Sequence, residues 1–222
     1  MQRTDGAVFS KLHADHGVHL RLDTGVAALR GNTVVEEVVL DDGRVVAADV
    51  VVVGVGVIPR TDVANAAGLR VDNGIVVDEH LATGVPGLFA AGDVANAWHP
   101  HYGRYLRVEH WANALNQGIT AGRNAAGCKD AYTRLPYFFS DQYDLGLEYV
   151  GHGDANDEVL VRGDLDAREF IAFWHRDGAI TAAMNVNVWD VVDDLKAIIE
   201  ARSQVDRARL TDPAVPLGEL VR

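Results

Sequence analysis

The chain lacks most of the features of disulfide-stabilised and membrane-spanning proteins. Cys128 is its one cysteine among 222 residues, so an internal disulfide, a CxxC redox pair and a cysteine zinc cluster are excluded. No apolar run approaches the roughly 20 residues needed to cross a bilayer, and no signal-like apolar segment follows Met1. We therefore expect a cytoplasmic protein that does not act in a membrane.

Positive charge is also scarce. The sequence has 20 basic and 32 acidic residues, a formal net charge of -12, which disfavours wholesale binding to nucleic acid or to anionic membranes. Apolar residues make up 48% of the chain and charged residues 23%, which are the proportions of a well-packed globular protein. The composition therefore excludes a disordered or collagen-like chain.

Hydrophobic periodicity predicts an α/β fold. Residues 49–56 form a continuous β-branched run, typical of a strand covered on both faces, and 88–91 form a second buried strand. A hairpin turns at Asp42-Gly43, because Asp-Gly supplies the positive φ of tight turns. The other elements predicted in this part are helices over 6–16, 61–67 and 108–126 and strands over 18–22 and 75–77.

Beyond Leu135-Pro136 the pattern changes to short strand-like runs separated by Gly or Asp turns. This change indicates a second, α+β domain with its boundary near residue 134. The predicted strands span 137–139, 145–150, 158–161, 169–175 and 179–188, and a helix over 191–201 closes the fold.

A Gly-Asp pair follows the predicted strand 88–91. Open α/β folds bind ligands at the carboxyl ends of their strands. Gly92 would let a ligand approach the backbone closely, and an ionised Asp93 would make strong hydrogen bonds to hydroxyl groups. The same pair also fits a simple strand end that leads into a turn.

Several motifs together are more specific than Gly-Asp alone. Residues 83–93, TGVPGLFAAGD, resemble the second flavin-binding fingerprint of pyridine-nucleotide-dependent flavoproteins, and 50–59 resemble their crossover strand. Residues 107–118, RVEHWANALNQG, and 136–144, PYFFSDQYD, resemble the FAD-dependent NAD(P)H:ferredoxin reductases of oxygenase and cytochrome P450 chains. The apoptosis-inducing factor fold is a relative of these reductases. The resemblance covers essentially the whole chain.

The resemblance implies a partial two-dinucleotide-binding flavoprotein fold followed by a C-terminal reductase domain. It implies the end of an NAD(P)-binding domain over 1–48, the returning half of an FAD-binding domain over 49–134, and the reductase domain over 135–222. Neither glycine-rich phosphate loop of the family is present, since Gly54-x-Gly56 continues into Val57-Ile58-Pro59 instead of a third glycine and a helix. We therefore expect the carboxyl-side portion of a reductase, incomplete for catalysis alone.

The resemblance also implies where the cofactor binds. Asp93 would hold the ribityl chain of FAD, and the helix that starts near Glu109 would direct its N-terminus at the flavin pyrimidine edge, favouring the reduced anion. Trp111 would stack on flavin or nicotinamide, although it also fits core packing. The implied cofactor-binding residues are Gly92, Asp93, Val94, Glu109, His110, Trp111 and Phe139, with no catalytic side chain assigned. This interpretation depends on Asp93 facing a cleft and on the runs 50–59 and 88–91 lying in one sheet.

The implied partner is a small acidic iron–sulfur protein of the ferredoxin type, docked on a basic face. Between residues 101 and 134, basic side chains outnumber acidic ones: Arg104, Arg107, Arg123, Lys129 and Arg134 stand against Glu109 and Asp130. A solvated basic surface explains the same excess.

Two other functions remain open. The chain could be a cofactor-free interaction or dimerisation module, paired with a second copy or with a missing N-terminal half. It could instead belong to a flavin reductase that serves a quinone, oxygen or a small organic radical.

The histidines do not indicate a metal site. His13, His16 and His19 are spaced three apart, but Gly17 breaks the predicted helix between the last two. His99 and His101 have no carboxylate or cysteine partner at ligand spacing.

Overall fold

The computed structural model describes residues 4–202 and 204–220. These residues form two compact units, which join in the sequence between Ile58 and Pro59. In the first unit, helix α1 (Thr4–Asp15) precedes an antiparallel sheet with the strand order β1-β2-β3. The strands are β1 (Val26–Arg30), β2 (Glu37–Leu40) and β3 (Val45–Ala47).

The hairpin between β2 and β3 confirms the predicted turn. Gly43 has a φ of 85°, and the side chain of Asp42 accepts a hydrogen bond from the backbone N–H of Arg44 at 3.0 Å. The strand predicted over 18–22 is wrong, because that segment pairs with no described strand and its apolar side chains are exposed. The strand in this part of the chain is instead β1, further along the sequence, which pairs with β2.

The buried strand predicted over 49–56 is also wrong. Residues 51–61 belong to no strand or helix, and the side chains of Val52 and Val55 are 91% and 87% exposed. A β-branched run becomes a strand only when a neighbouring strand bonds its backbone groups, and no described strand pairs with this run.

The second unit begins with a small sheet and a long helix. Its elements up to residue 125 are α2 (Asp62–Ala66), β4 (Ile75–Val77), a 3-10 helix (Gly92–Val94), β5 (Ala95–His99), β6 (Arg104–Arg107) and α3 (Trp111–Ala125). Strands β4 and β5 are parallel, and β5 and β6 are antiparallel. The helices α2 and α3 and the strand β4 lie where the sequence predicts them.

The strand predicted over 88–91 is reduced to one bridge, between Phe89 and Ala82. The parallel neighbour of β4 is β5, which starts after Asp93. The Gly-Asp pair therefore precedes a strand instead of following one. Residues 50–59 form no strand and 88–91 form only this bridge, so the predicted sheet of these two runs is wrong and a cofactor site has to be argued from other geometry.

The chain from residue 137 onwards folds as an antiparallel sheet with two helices. Its strands are β7 (Tyr137–Gln142), β8 (Leu145–Gly151), β9 (Glu158–Asp164), β10 (Glu169–Arg176) and β11 (Ala179–Val186), in the order β7-β8-β11-β10-β9. The helices are α4 (Val192–Ala201) and α5 (Arg207–Thr211), and a 3-10 helix spans Leu217–Glu219. All five strands and α4 confirm the predicted runs; α5 and the last 3-10 helix were missed.

Helix α4 supplies much of the core of this sheet. Leu195, Ile198 and Ile199 recur at the i, i+3, i+4 spacing of one helical face and are fully buried. They pack with Ile171 and Phe173, which alternate along β10 and therefore share one face of the sheet.

Candidate functional site

A groove of about 640 Å³ lies where α3 begins and β7 passes beside it. It is lined by Glu109, His110, Trp111, Ala112, Tyr137, Phe138 and Phe139. The fold thus brings together four of the seven predicted site residues, which come from two separate segments of the sequence. Trp111 and Phe139 are 76% and 60% exposed, so neither is an ordinary core aromatic.

A buried asparagine fixes the start of α3. Asn113 is 3% exposed; its side-chain N–H donates to the carbonyl of Val108 at 3.0 Å, and its Oδ1 accepts from the hydroxyl of Tyr132 at 3.1 Å. No side chain caps the helix at His110. The first backbone N–H groups of α3 are therefore held in place without a capping side chain to bond them.

His110 lines the groove and carries an unpaired ring nitrogen. Its Nδ1 is buried and has no hydrogen-bond partner, and its ring lies 4.9 Å from that of Phe138. Burial lowers the pKa of His110, while the charges of Asp93 and Glu109 act in the opposite direction. The imidazole is therefore neutral at neutral pH and can donate or accept a hydrogen bond.

The 3-10 helix with the other three predicted residues packs against α3. The N–H of Gly92 donates to Oε1 of the buried Gln117 at 2.8 Å. Asp93 is exposed and is not among the residues that line the groove, although its charge acts to raise the pKa of His110. Val94 is half-buried, and its carbonyl lies against the backbone of Gly74.

Arg107 connects these parts and was missed as a site residue. Its guanidinium donates to Oε1 of Glu109 at 2.5 Å and to the carbonyl of Asp93 at 3.2 Å. The sequence offered one signal, because residues two apart along an extended chain point to the same side. That spacing placed Arg107 beside Glu109 but gave no indication of Asp93.

A larger cavity of about 970 Å³ shares Ala112, Tyr137 and Phe139 with the groove. On its wall the Tyr137 hydroxyl donates to Oε1 of Glu148 at 2.7 Å, and Asn185 donates to Oε2 of Glu148 at 3.0 Å. Burial, with the neighbouring Glu148 carboxylate, raises the pKa of Tyr137 to about 12. The hydroxyl therefore keeps its proton at any ordinary pH.

Ion pairs within the chain compensate much of the positive charge between residues 101 and 134. Arg104 pairs with Asp154 at 2.9 Å, Arg107 with Glu109 at 2.5 Å, and Arg123 with Asp130 at 2.5 Å. The positive field available to an acidic partner is therefore weaker than the residue count predicts.

Among the described residues, no group of three or more His, Cys, Asp or Glu side chains is arranged to hold a metal ion. No described helix is both long enough and apolar enough to span a membrane.

Two family models match the chain. A model described as pyridine nucleotide-disulphide oxidoreductase matches residues 1–118, and one described as reductase C-terminal matches residues 137–221.

Curated relatives and solved structures agree with these matches. The chain is 40% identical to the ferredoxin–NAD(+) reductase component of the anthranilate 1,2-dioxygenase system of Burkholderia cepacia, over 96% of this chain and 52% of that protein. It is 36% identical to putidaredoxin reductase of Pseudomonas putida, over 97% of this chain and 52% of that protein. The ferredoxin reductase of the CYP199A2 system of Rhodopseudomonas palustris superposes with a TM-score of 0.92 at 30% identity, covering 100% of this chain and 55% of that one. The chain thus spans about half the length of the relatives it matches.

Proposed function

We propose a function from one premise: the chain belongs to the pyridine nucleotide-disulphide oxidoreductase family. The matches over both parts of the chain confirm the resemblance to ferredoxin reductases and the α/β fold class predicted from the motifs. We propose that the chain works in a flavoprotein that passes electrons from NAD(P)H through FAD to a ferredoxin-type iron–sulfur protein. Since Cys128 is its one cysteine, this chain itself supplies no cysteine pair for disulfide chemistry.

The groove at the start of α3 is the observation that supports this proposal. The groove is lined by two exposed aromatic side chains, Trp111 and Phe139, and by His110, whose buried Nδ1 has no hydrogen-bond partner, at the first turn of a 15-residue helix. A flat, partly polar ring system fits such a groove, because its faces can stack while its edge meets hydrogen-bond donors. The positive end of the α3 dipole favours an occupant that gains negative charge.

Each predicted residue has a defined part in the proposed site. Trp111 and Phe139 stack, Asp93 binds the hydroxyl groups of the ribityl chain, and Glu109 and His110 meet the ring edge. Gly92 and Val94 contribute backbone and position Asp93. Bound FAD would supply the hydride and single-electron chemistry, and the chain's own residues orient the ring and stabilise its charge.

We further propose the division of the chain that the motifs imply. Residues 1–48 would belong to an NAD(P)-binding domain, 49–134 to an FAD-binding domain and 135–222 to the reductase domain. The reductase C-terminal match over 137–221 supports the last boundary.

The ferredoxin partner is proposed on similarity. One solved relative is described as a covalent putidaredoxin reductase–putidaredoxin complex; it is 35% identical, with a TM-score of 0.92, over 100% of this chain and 54% of that one. Comparing turnover with a ferredoxin against turnover with a quinone or oxygen would separate this partner from other acceptors.

Flavin retention tests the proposal directly. The purified chain is mixed with FAD, passed through a desalting column and scanned for flavin absorbance. We expect retained FAD, and we expect Asp93→Ala to weaken its binding by about one to two orders of magnitude, since a charge-assisted hydrogen bond contributes about 1.5–3 kcal/mol. Asp166→Ala, an exposed carboxylate in the turn between β9 and β10, is the matched control and should bind FAD as the wild type does.

Two outcomes would contradict the proposal in different ways. If the wild-type chain retains no FAD, the cofactor-free interaction module is favoured. If FAD is retained and Asp93→Ala binds it with unchanged affinity, the chain binds FAD but Asp93 takes no part in the binding.

A further inference from the structure

Arg107 joins three separate segments of the second unit at its guanidinium. As the last residue of β6, it donates from Nε to Oδ1 of Asn73 at 3.2 Å, which lies in the turn before β4. From Nη1 it donates to the Asp93 carbonyl at 3.2 Å and to the Glu109 carboxylate at 2.5 Å. Its side chain is 14% exposed, whereas a simple surface cation would extend into solvent.

The backbone beneath Arg107 is built to accept its side chain. Gly74 has a φ of +120°, and a β-carbon there would lie 2.9 Å from Cδ of Arg107 and 2.6 Å from the carbonyl oxygen of Val94. Glycine therefore allows the stem of Arg107 and the 3-10 helix to approach this turn together. The close packing restricts the guanidinium to the position from which it reaches Asp93 and Glu109.

The pair between Arg107 and Glu109 also controls charge at the groove. Without Arg107, the Glu109 carboxylate would stand uncompensated at the start of α3, where the helix dipole attracts anions. It would then compete for the same N–H groups as any occupant that carries or gains negative charge. Bonded to Arg107, the carboxylate is neutralised and held.

We propose that Arg107 is a positioning residue of the candidate cofactor site. It holds the 3-10 helix with Asp93 against the start of α3, and it compensates the charge of Glu109. The inference rests on the proposed function, since it assigns Arg107 to the same site.

The positioning role can be tested without any cofactor, by hydrogen exchange on the full chain. In Arg107→Gln, we expect the amides of residues 92–94 to exchange about tenfold faster, because charged hydrogen bonds that close this segment are lost. Amides of β10 and β11 should exchange as in the wild type. Arg107→Lys keeps the positive charge but cannot reach all three partners of the guanidinium. It should therefore restore part of the protection of these amides against exchange.

Arg123→Gln is the matched control for this experiment. Arg123 forms an ion pair of 2.5 Å with Asp130, exposed at the other end of α3, and its loss should leave the exchange of residues 92–94 unchanged. Equal exchange of residues 92–94 in Arg107→Gln and Arg123→Gln would overturn the inference. If Arg107→Gln fails to fold, as judged by circular dichroism, Arg107→Lys decides in the same assay: wild-type exchange at 92–94 would count against the inference, and faster exchange would support it.

A double substitution separates charge compensation from simple support of the fold. Arg107→Gln should weaken FAD binding about tenfold, and adding Glu109→Gln should restore part of that affinity, because the uncompensated carboxylate is then gone. A purely structural Arg107 would show no such rescue, and the charge part of the inference would fail. If the wild-type chain binds no FAD, the proposed function fails and the exchange experiment alone decides the inference.

Discussion

Gly92 is the residue on which the geometry of the candidate site depends most. Its φ of +77° lies in the left-handed region, and a β-carbon there would be 3.3 Å from the β-carbon of Ala114 on α3. Its N–H is bonded to the buried Gln117. The left-handed backbone and the close contact with Ala114 therefore favour glycine at this position without any ligand.

Replacing Gly92 tests this constraint. Gly92→Ala should lower the free energy of unfolding by about 1–3 kcal/mol, the cost of a strained left-handed residue plus a tight contact. Gly122→Ala is the control, because a β-carbon there meets nothing within 4 Å; on a helix it should raise the free energy of unfolding by up to about 1 kcal/mol. Urea denaturation followed by circular dichroism measures both, and a Gly92→Ala protein as stable as the wild type would contradict the structure at this residue.

His101 makes the stability of the fold depend on pH. Burial, with the nearby Arg202 and His99, lowers the pKa of His101 to about 4 from its ordinary 6.5. Between those values the unfolded chain binds more protons at this residue than the folded chain does, so the contribution of His101 to stability falls as the pH falls.

His101→Phe keeps an aromatic ring beside Tyr102 and removes the titrating group. The free energy of unfolding of the wild type should therefore fall more steeply than that of His101→Phe between about pH 7 and about pH 5. Some slope should remain in the variant, because burial also lowers the pKa of His99. Equal slopes in urea titrations of the two proteins would exclude His101 as a contributor.

At the scale of elements, α4 is the helix whose packing the C-terminal sheet requires. Its buried face meets β8 and β11 through side chains that are fully removed from solvent. Its opposite face carries acidic and basic residues, such as Asp193 and Lys196, which pair with each other at 2.9 Å. Apolar burial therefore dominates the contribution of this helix, since an exposed pair adds little.

Ile198→Ala should lower the free energy of unfolding by about 2–5 kcal/mol, the range for removing a large aliphatic side chain from a core. Glu200→Ala, two residues along on the exposed side of α4, should change it by no more than about 0.5 kcal/mol. Both are measured by chemical denaturation. Similar effects of the two substitutions would mean that α4 does not pack on the sheet as described.

At the scale of the whole molecule, residues 51–61 are the segment that we expect a protease to cleave first. Residues 51–61 form no helix or strand, and their valine and isoleucine side chains are mostly exposed. The second unit contains buried apolar clusters around α4 and around β5. Exposed apolar chain without backbone pairing is a preferred site for proteolysis.

Thermolysin, which cuts before large apolar residues, should therefore cleave first between Val50 and Ile58. The fragment from that cut to the C-terminus should resist further digestion and keep the circular dichroism of an antiparallel sheet. N-terminal sequencing and mass spectrometry identify the cut. A first cut within β8, β10 or β11 would contradict the division of the chain.

The local sequence determined those elements whose partners are close by in the chain. Asp42-Gly43 predicted a hairpin correctly because its two strands follow one another in the sequence. The strand-like runs after residue 136 all pair with one another in one sheet. The motifs around Asp93 and Glu109 also identified the family, because they record residue types and need no knowledge of packing.

Only the tertiary structure decided which apolar runs became strands and which residues share the site. The run 49–56 has strand composition, but a strand also requires a bonded neighbour, and no local pattern reports whether one exists. Trp111 and Phe139 lie far apart in the sequence and line one groove because α3 begins where β7 passes. Arg107 acquires its place from contacts with Asn73 and Asp93, which periodicity cannot reveal since long-range contacts leave no regular spacing along the chain.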